Sequence, residues 1–254
     1  MGAKLGKRRR VISFDETHVM LNQARENGRT PADRIIVATP QEGERVDNEV
    51  SCCKSDTGFT MVGGSDADGN AIPAVYIFDR TPSELHGSAP LSHIIRPSDN
   101  QVLKAGMYRT ESGGMDEESM VAFLKFSVLP CFDDITADNP VFTLFDGHSS
   151  HFEMKAINLM KEHHIRPLLR PPHTSQVSQG EDVVNFKELK PAIRQMKSSL
   201  FSKRLVTSKR QAKAGAPTLT LSDAFLITKK PWEDAFSGYD ELSPGRGPQN
   251  VTSL

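Results

Sequence analysis

The sequence predicts an α/β fold in which helices pack on a mixed β-sheet. Short apolar runs typical of buried strands lie at 11–15, 141–145 and 165–170. Stretches with apolar residues at helical spacing separate or follow these runs. An Asp-Gly-Asn turn within 66–70 joins two further apolar runs into a hairpin, because these residues tolerate the positive φ angles of a tight turn.

The elements occur in the order strand, hairpin, helix, strand, helix, strand, helix. Asp116 and the two glutamates after it favour a helix start at that point, since acidic side chains stabilise the first turn. Residues 22–56 and 79–114 are rich in charge, glycine and proline, and we expect irregular structure in both. The predicted limits of the regular elements are 11–15, 59–78, 116–129, 141–145, 152–163, 165–170 and 182–201.

Composition restricts the class of protein. The 254 residues suffice for one large domain or two small ones, and a formal net charge of -1 means that nucleic-acid contact needs local basic patches. No apolar run approaches 18 residues, which argues against a membrane span. Three cysteines without metal-site spacing indicate reduced thiols in an intracellular protein. We expect a basic tail at 1–10, a folded domain at 11–205 and a partly ordered extension at 206–254.

Two aspartates follow apolar runs in the same way. Asp15 ends VISFD and Asp146 ends VFTLFD. If the two strands are parallel neighbours, both carboxylates lie at the same carboxyl edge of the sheet, where open α/β sheets bind ligands. Each aspartate taken singly is also a common turn former or helix cap. The matched positions favour a shared site.

A third carboxylate lies on the apolar face of the last predicted helix. Continuing the apolar stripe back by four residues leads to Asp182 in the first turn, whereas Glu181 points about 100° round the helix and is the weaker candidate. The alternative role of Asp182 is an N-terminal cap. The stripe consists of Phe186, Leu189, Ile193, Met196 and Leu200.

Three carboxylates at one sheet edge repel each other, and a divalent hard cation relieves that repulsion. Carboxylate oxygens suit Mg²⁺ or Mn²⁺. Two such ions roughly 4 Å apart can activate a water or a 3′-hydroxyl in phosphodiester displacement. The pattern therefore predicts a metal-carboxylate site and leaves the substrate open.

The segments VISFDETHVML, DADGNAIPAVYIF, LFDGHSSH and IRPLLRPPHTSQ occur in this order along the chain. Together with EDVVNFKELK and the Trp-containing KKPWEDAFSGYDEL, they resemble the catalytic domain of the DDE-type transposases of the pogo and mariner-like superfamily. The resemblance extends over roughly 11–242.

The resemblance implies a ribonuclease-H-like mixed sheet flanked by helices, with metal-dependent endonuclease and strand-transfer activity on DNA. It implies that Asp15, Asp146 and Asp182 are catalytic carboxylates that bind two Mg²⁺ or Mn²⁺ ions. DNA is the expected partner, with no membrane and no small organic cofactor, and a homodimer is left open. The expected location is the nucleus in a eukaryote and otherwise intracellular.

Three histidines lie in the matching motifs. His148 and His151, three residues apart, have a spacing that can bind zinc, but no second pair with suitable spacing accompanies them. We interpret both as supporting residues beside the carboxylates. His173, in the Pro-Pro loop, either shapes the site or is an ordinary loop residue.

The motifs also depart from the family pattern. Where the family has an apolar segment before the last carboxylate, this chain has the polar sequence SQGED at 178–182. Gln176 stands in place of a loop histidine of the family, and His18 in place of a glycine. Members of the family carry helix-turn-helix segments ahead of the catalytic domain, whereas about ten residues precede the first strand. We expect a truncated copy, a split gene or a domain kept for another purpose.

A basic run follows the third carboxylate, with Glu188 as its one acidic residue. It is consistent with a solvated helix face or with contacts to a DNA backbone. Two alternatives to a transposase are left open. One is an inactive transposon-derived nucleic-acid-binding protein, and the other is a nuclease that acts on RNA–DNA hybrids. The run comprises Lys187, Lys190, Arg194, Lys197, Lys203, Arg204, Lys209, Arg210 and Lys213.

Overall fold

The computed structural model describes residues 10–21, 57–145, 153–170, 186–210 and 218–235. Eight strands and four α-helices lie in these ranges. The strands are β1 (Val11–Met20), β2 (Gly58–Asp66), β3 (Val75–Phe78), β4 (Leu91–Ile95), β5 (Val102–Lys104), β6 (Gly106–Arg109), β7 (Val141–Phe145) and β8 (Ile165–Leu169). The helices are α1 (Glu117–Phe123), α2 (Met154–Glu162), α3 (Phe186–Arg210) and α4 (Ala224–Ala235).

The main sheet has six strands in the order β6-β3-β2-β1-β7-β8. Neighbours β1, β2 and β3 are antiparallel, whereas β7 runs parallel to β1 and β8 runs parallel to β7. Three antiparallel strands followed by two parallel ones, with helices on both faces, confirm the predicted α/β, ribonuclease-H-like mixed sheet.

The predicted hairpin is present as β2 and β3. Asp66 ends β2, and its Oδ1 accepts hydrogen bonds from the amides of Asp68 at 3.0 Å and Asn70 at 2.8 Å. Gly69 follows with φ of 86°, a conformation that glycine adopts without steric cost. The polar turn therefore reverses the chain as its sequence predicts.

The predicted helix at 116–129 is present but changes its hydrogen-bonding pattern. Asp116 caps α1, since its carboxylate accepts from the Ser119 amide at 2.9 Å and its own amide donates to Ser119 Oγ at 2.7 Å. The chain continues as a π-helical turn at Leu124–Val128 and a 3-10 turn at Leu129–Cys131. Pro130 lies in that last turn, where its missing N–H prevents the helix from continuing regularly.

Two hydrophobic clusters cover the two faces of the sheet. Ile12 and Phe14 of β1 lie in the cluster under α1 and α2, whereas Val19 and Leu21 lie in the cluster under α3 and α4. This division follows from the alternation of side chains along a strand. Odd-numbered residues of β1 thus face α3 and α4.

Two regions differ from the predicted limits. Residues 79–114, expected to be irregular, contain β4, β5 and β6, and β6 pairs in parallel with β3. The predicted boundary between 205 and 206 falls inside α3, and α4 is buried in the same cluster as α3. Residues 22–56, the other segment predicted to be irregular, lie outside the described residues. No helix in the described part of the chain is long and apolar enough to cross a membrane.

Candidate metal-carboxylate site

Asp15 lies within β1, with 8 % of its surface exposed. The predicted strand ended at this residue, and that limit is wrong, since β1 continues to Met20. The physical reason is that β2 supplies antiparallel partners for the whole of 12–20, whereas β7 pairs only with 11–13. Asp15 therefore lies where the parallel pairing has ended and the antiparallel pairing continues.

The prediction that the two aspartate-bearing strands are parallel neighbours is confirmed. Ser13 pairs with Leu144, and the registers of Val11 and Ile12 agree with this pair. The last residue of β7 is Phe145, which is fully buried. Asp146 is the next residue in the sequence and lies outside the described residues.

Gly63 of β2 is the direct partner of Asp15. A Cβ atom at Gly63 would lie 2.6 Å from the Trp232 ring and 3.3 Å from the Phe186 ring, so both rings occupy the space above this glycine. Paired residues of neighbouring strands point to the same face of a sheet. Asp15 therefore lies beside the start of α3, on the face that α3 and α4 cover.

The apolar stripe predicted for the last helix is confirmed in α3. Phe186, Leu189 and Ile193 are buried, and Met196 and Leu200 pack against the same cluster. Asp182 is four residues before Phe186 in the sequence and lies outside the described residues. His148, His151 and His173 also lie outside them.

Arg170 is a further buried residue at this edge of the sheet, and none of the motifs described above points to it. It follows β8 directly, with 7 % of its surface exposed, and its amide donates to the Phe145 carbonyl at 3.2 Å. Its guanidinium donates to Ser13 Oγ on β1. The sequence shows that the short apolar strand IRPLLR ends in an arginine. It does not show which residue the side chain of that arginine contacts.

The basic run on α3 divides into two groups. Lys187, Lys190 and Arg194 are exposed, as a DNA-contacting face requires, and Lys190 Nζ lies 5.5 Å from the centre of the Phe186 ring. By contrast, Lys197 Nζ donates to the Met20 carbonyl at 2.5 Å, and Arg204 binds a buried carboxylate. The DNA-contact candidates Lys187, Lys190 and Arg194 therefore lie on the exposed face of α3, and DNA contact by them stays a prediction.

The donor chemistry at Asp15 fits a hard divalent cation. A buried carboxylate supplies the oxygen ligands that Mg²⁺ and Mn²⁺ prefer. Within the described ranges, no group of three histidine, cysteine, aspartate or glutamate side chains is close enough to hold a metal ion. The other two predicted ligands, Asp146 and Asp182, are outside those ranges.

The mixed sheet, with buried Asp15 beside its parallel pair of strands, defines an α/β protein with the ribonuclease-H-like fold predicted above. The profile of the family described as DDE superfamily endonuclease matches residues 90–239, more than half of the chain. The chain belongs to this family.

A curated protein and several solved structures are also similar to this chain. The MFS-type transporter clz9 of Cochliobolus lunatus is 45 % identical over 49 residues, which are 19 % of this chain and 5 % of that protein. A Mos1 transposase paired-end complex with the left transposon end has a TM-score of 0.39 at 10 % identity, covering 91 % of this chain and 55 % of that one. The Mos1 mariner paired-end complex with Mn has a TM-score of 0.39 at 11 % identity, covering 90 % and 55 %. The chain thus spans just over half the length of these transposases.

Proposed function

We propose that this chain is a transposase-type DNA endonuclease that uses divalent metal ions for phosphodiester hydrolysis and strand transfer. Asp15, Asp146 and Asp182 would hold Mg²⁺ or Mn²⁺, as two ions. The observation that carries the proposal is the placement of buried Asp15 on the α3 face, one strand away from the end of β7.

Chain connectivity supports the inclusion of Asp146. Consecutive Cα atoms are about 3.8 Å apart, so Asp146 lies within that distance of Phe145. The β1–β7 register pairs Ser13 with Leu144, and β7 ends one residue later at Phe145. Neighbouring strands are about 4.8 Å apart, which is a suitable spacing for two carboxylates that share a cation.

Connectivity also limits the position of Asp182. Four extended residues span at most about 14 Å, so Asp182 lies within that distance of Phe186. The Phe186 ring lies against Gly63, the partner of Asp15. Asp182 is therefore able to reach the same site.

Bound ions would supply Lewis acidity and an activated water or 3′-hydroxyl. The chain's own part is to hold the carboxylates in place. The Phe186 and Trp232 rings lie against Gly63, the strand partner of Asp15, and cover the sheet on that side. The exposed cations Lys187, Lys190 and Arg194 on α3 would bind the phosphate backbone.

DNA is the proposed partner and the nucleus the proposed location in a eukaryotic cell. One Mos1 structure is a complex with a transposon end, another is a strand transfer complex, and a third is a paired-end complex with Mn. Family membership and the exposed cations of α3 support DNA as the substrate of this chain as well.

The proposal is tested by nicking of supercoiled plasmid DNA with purified protein. We expect conversion to the open-circular form with Mg²⁺ or Mn²⁺ and no conversion with EDTA. A preference for an RNA–DNA hybrid duplex over duplex DNA would instead favour the hybrid-specific nuclease.

The second candidate is an inactive, transposon-derived DNA-binding protein. The exposed basic face of α3 favours it, because that face can bind a phosphate backbone whether or not the carboxylates hold metal. DNA binding without cleavage in either ion would establish this reading over the first.

The double substitution Lys187→Ala with Arg194→Ala is expected to weaken DNA binding without changing any sequence preference. Each lost phosphate contact lowers the salt dependence of log K by about one, so the slope should fall by about two. Lys190 is left unchanged because it packs on Phe186. Fluorescence anisotropy on a labelled duplex at several salt concentrations measures the slope.

The matched control is Lys125→Ala with Lys161→Ala, two exposed lysines on the opposite side of the sheet. We expect this control to bind DNA as the unmodified chain does. Equal losses in the two double variants would mean that DNA binds through net charge and not through the α3 face.

A further inference from the structure

Arg170 crosses the parallel edge of the sheet beside the proposed site. Its backbone lies on the β8 side, where its amide continues the ladder to Phe145. Its guanidinium reaches Ser13 Oγ on β1, two strands away. Two strand spacings are about 10 Å, so the extended side chain passes over the end of β7.

The registers bring this charge close to Asp15. Phe145 pairs with Leu169, and Arg170 follows Leu169 directly. Ser13, which accepts from the guanidinium, is two residues before Asp15 and on the same face of β1. Residues two apart on a strand are about 7 Å apart. The guanidinium therefore contacts the residue whose Cα lies about 7 Å from that of Asp15 on the same face of β1.

We propose that Arg170 is a built-in counter-charge of the carboxylate site, a positioning residue whose fixed positive charge sets the affinity for divalent metal ions. The inference rests on the proposed function, since it presumes that Asp15 binds metal. Arginine stays protonated at all relevant pH values, so this charge does not titrate away. It offsets the negative charge of Asp15 before metal binds.

A fixed cation beside a cation site also opposes the incoming ion. The metal must bind in the field of the guanidinium, so its affinity is lower than the carboxylates alone would give. Loss of the charge should therefore tighten metal binding while making the metal-free protein less stable. A purely structural arginine predicts the second effect without the first.

The test is a titration of Mn²⁺, followed by its free-ion electron paramagnetic resonance signal, on the full chain and its variants without DNA. Arg170→Gln and Arg170→Met both remove the charge and keep much of the side-chain length. Two variants are used so that the test can be made with either one if the other does not fold. We expect Mn²⁺ to bind about five- to tenfold more tightly and the metal-free melting temperature to fall. Arg170→Lys keeps the charge and should restore the unmodified affinity.

The matched control is Arg10→Gln. Arg10 is also a buried arginine, with 5 % of its surface exposed, but it lies at the start of β1, where it donates to the Asn139 carbonyl at 2.7 Å and pairs with Asp134. This variant should lose stability with unchanged Mn²⁺ affinity. Unchanged or weaker Mn²⁺ binding in the folded neutral variants of Arg170 would overturn the inference.

Failure of this inference is separable from failure of the proposed function. If the unmodified chain binds no Mn²⁺, or binds it equally well after Asp15→Asn, the proposed metal site itself is wrong. If binding depends on Asp15 but does not tighten without the Arg170 charge, only the role of Arg170 is wrong. Weaker metal-free DNA binding with unaltered Mn²⁺ affinity would assign Arg170 to phosphate contact instead.

Discussion

Asp15→Asn is expected to lower metal-dependent DNA nicking by at least about a hundredfold, because a metal ligand contributes several kcal/mol of transition-state stabilisation. Asparagine has nearly the same shape as aspartate, so the pairing of residue 15 with Gly63 and its burial beside α3 are retained. The substitution removes the negative charge that a divalent cation needs. Initial rates on supercoiled plasmid in Mg²⁺ and in Mn²⁺ measure the loss, and thermal melting verifies the fold.

Asp146→Asn is expected to give the same loss, since both carboxylates would bind the same ions. Glu16→Gln is the matched control, because Glu16 is the next residue of β1 and its side chain points to the opposite face of the strand. The control should nick DNA at the unmodified rate. Full activity of Asp15→Asn would show that this buried aspartate has a structural role only, and the site would have to be sought elsewhere.

The helices and most strands could be predicted because the local periodicity of their apolar residues indicates them. The stripe from Phe186 to Leu200 has helical spacing, and α3 buries it as predicted. VFTLF is an apolar run between turn residues, and it forms β7 with the predicted limits. The spacing of apolar residues in such segments shows which face is buried, so they can be recognised without knowledge of their neighbours in the fold.

The limits of β1 and the strands β4 to β6 could not be predicted, because they depend on partners distant in sequence. β1 extends past Asp15 because β2 continues to pair with it as far as Met20. β6 is a short, half-exposed segment, Gly106–Arg109, and it becomes a strand by pairing with β3. No periodicity within four residues distinguishes such a segment from a loop.

Charged side chains were the least predictable part of the site. Asp15 was recognised from its place after an apolar run, but the same argument gave no partner for Arg170, which reaches Ser13 at a separation of 157 residues. Arg204 lies in a basic run of the sequence that is consistent with a solvated helix face or with DNA contact. Its actual partner, Asp223, lies 19 residues further along the chain.

Asp223 anchors the end of α3 against the segment that precedes α4. Its side chain is 0 % exposed and accepts from Arg204 at 2.7 Å and 2.5 Å, from the Thr220 amide at 2.9 Å, and bonds to His86 Nδ1 at 2.9 Å. Burial raises the pKa of the Asp223 carboxyl, but the hydrogen bonds from Arg204, Thr220 and His86 outweigh it, so the pKa lies below its ordinary value.

Arg204→Met is therefore expected to lower the free energy of unfolding by about 3 kcal/mol, because it leaves a buried carboxylate without its main counter-charge. Urea denaturation followed by circular dichroism measures the change. Lys230→Met is the control, since the Lys230–Asp234 pair lies at the surface with side chains 69 % and 59 % exposed. It should have no measurable effect. A loss in Arg204→Met no larger than in the control would mean that Asp223 is stabilised by its other partners alone.

The pH dependence gives an independent test of the same contact. Because the folded-state pKa of Asp223 is lowered, its stabilising contribution is complete above the unfolded-state pKa of about 4 and is lost as the pH falls through the folded-state value. The difference in unfolding free energy between the unmodified chain and Arg204→Met should therefore be constant at neutral pH and shrink below about pH 4. A difference that stays constant to low pH would assign the loss to the packing of the arginine stem instead. Since α3 carries Phe186 to the side of Asp15, the Arg204–Asp223 pair also holds the helix that completes one wall of the proposed site.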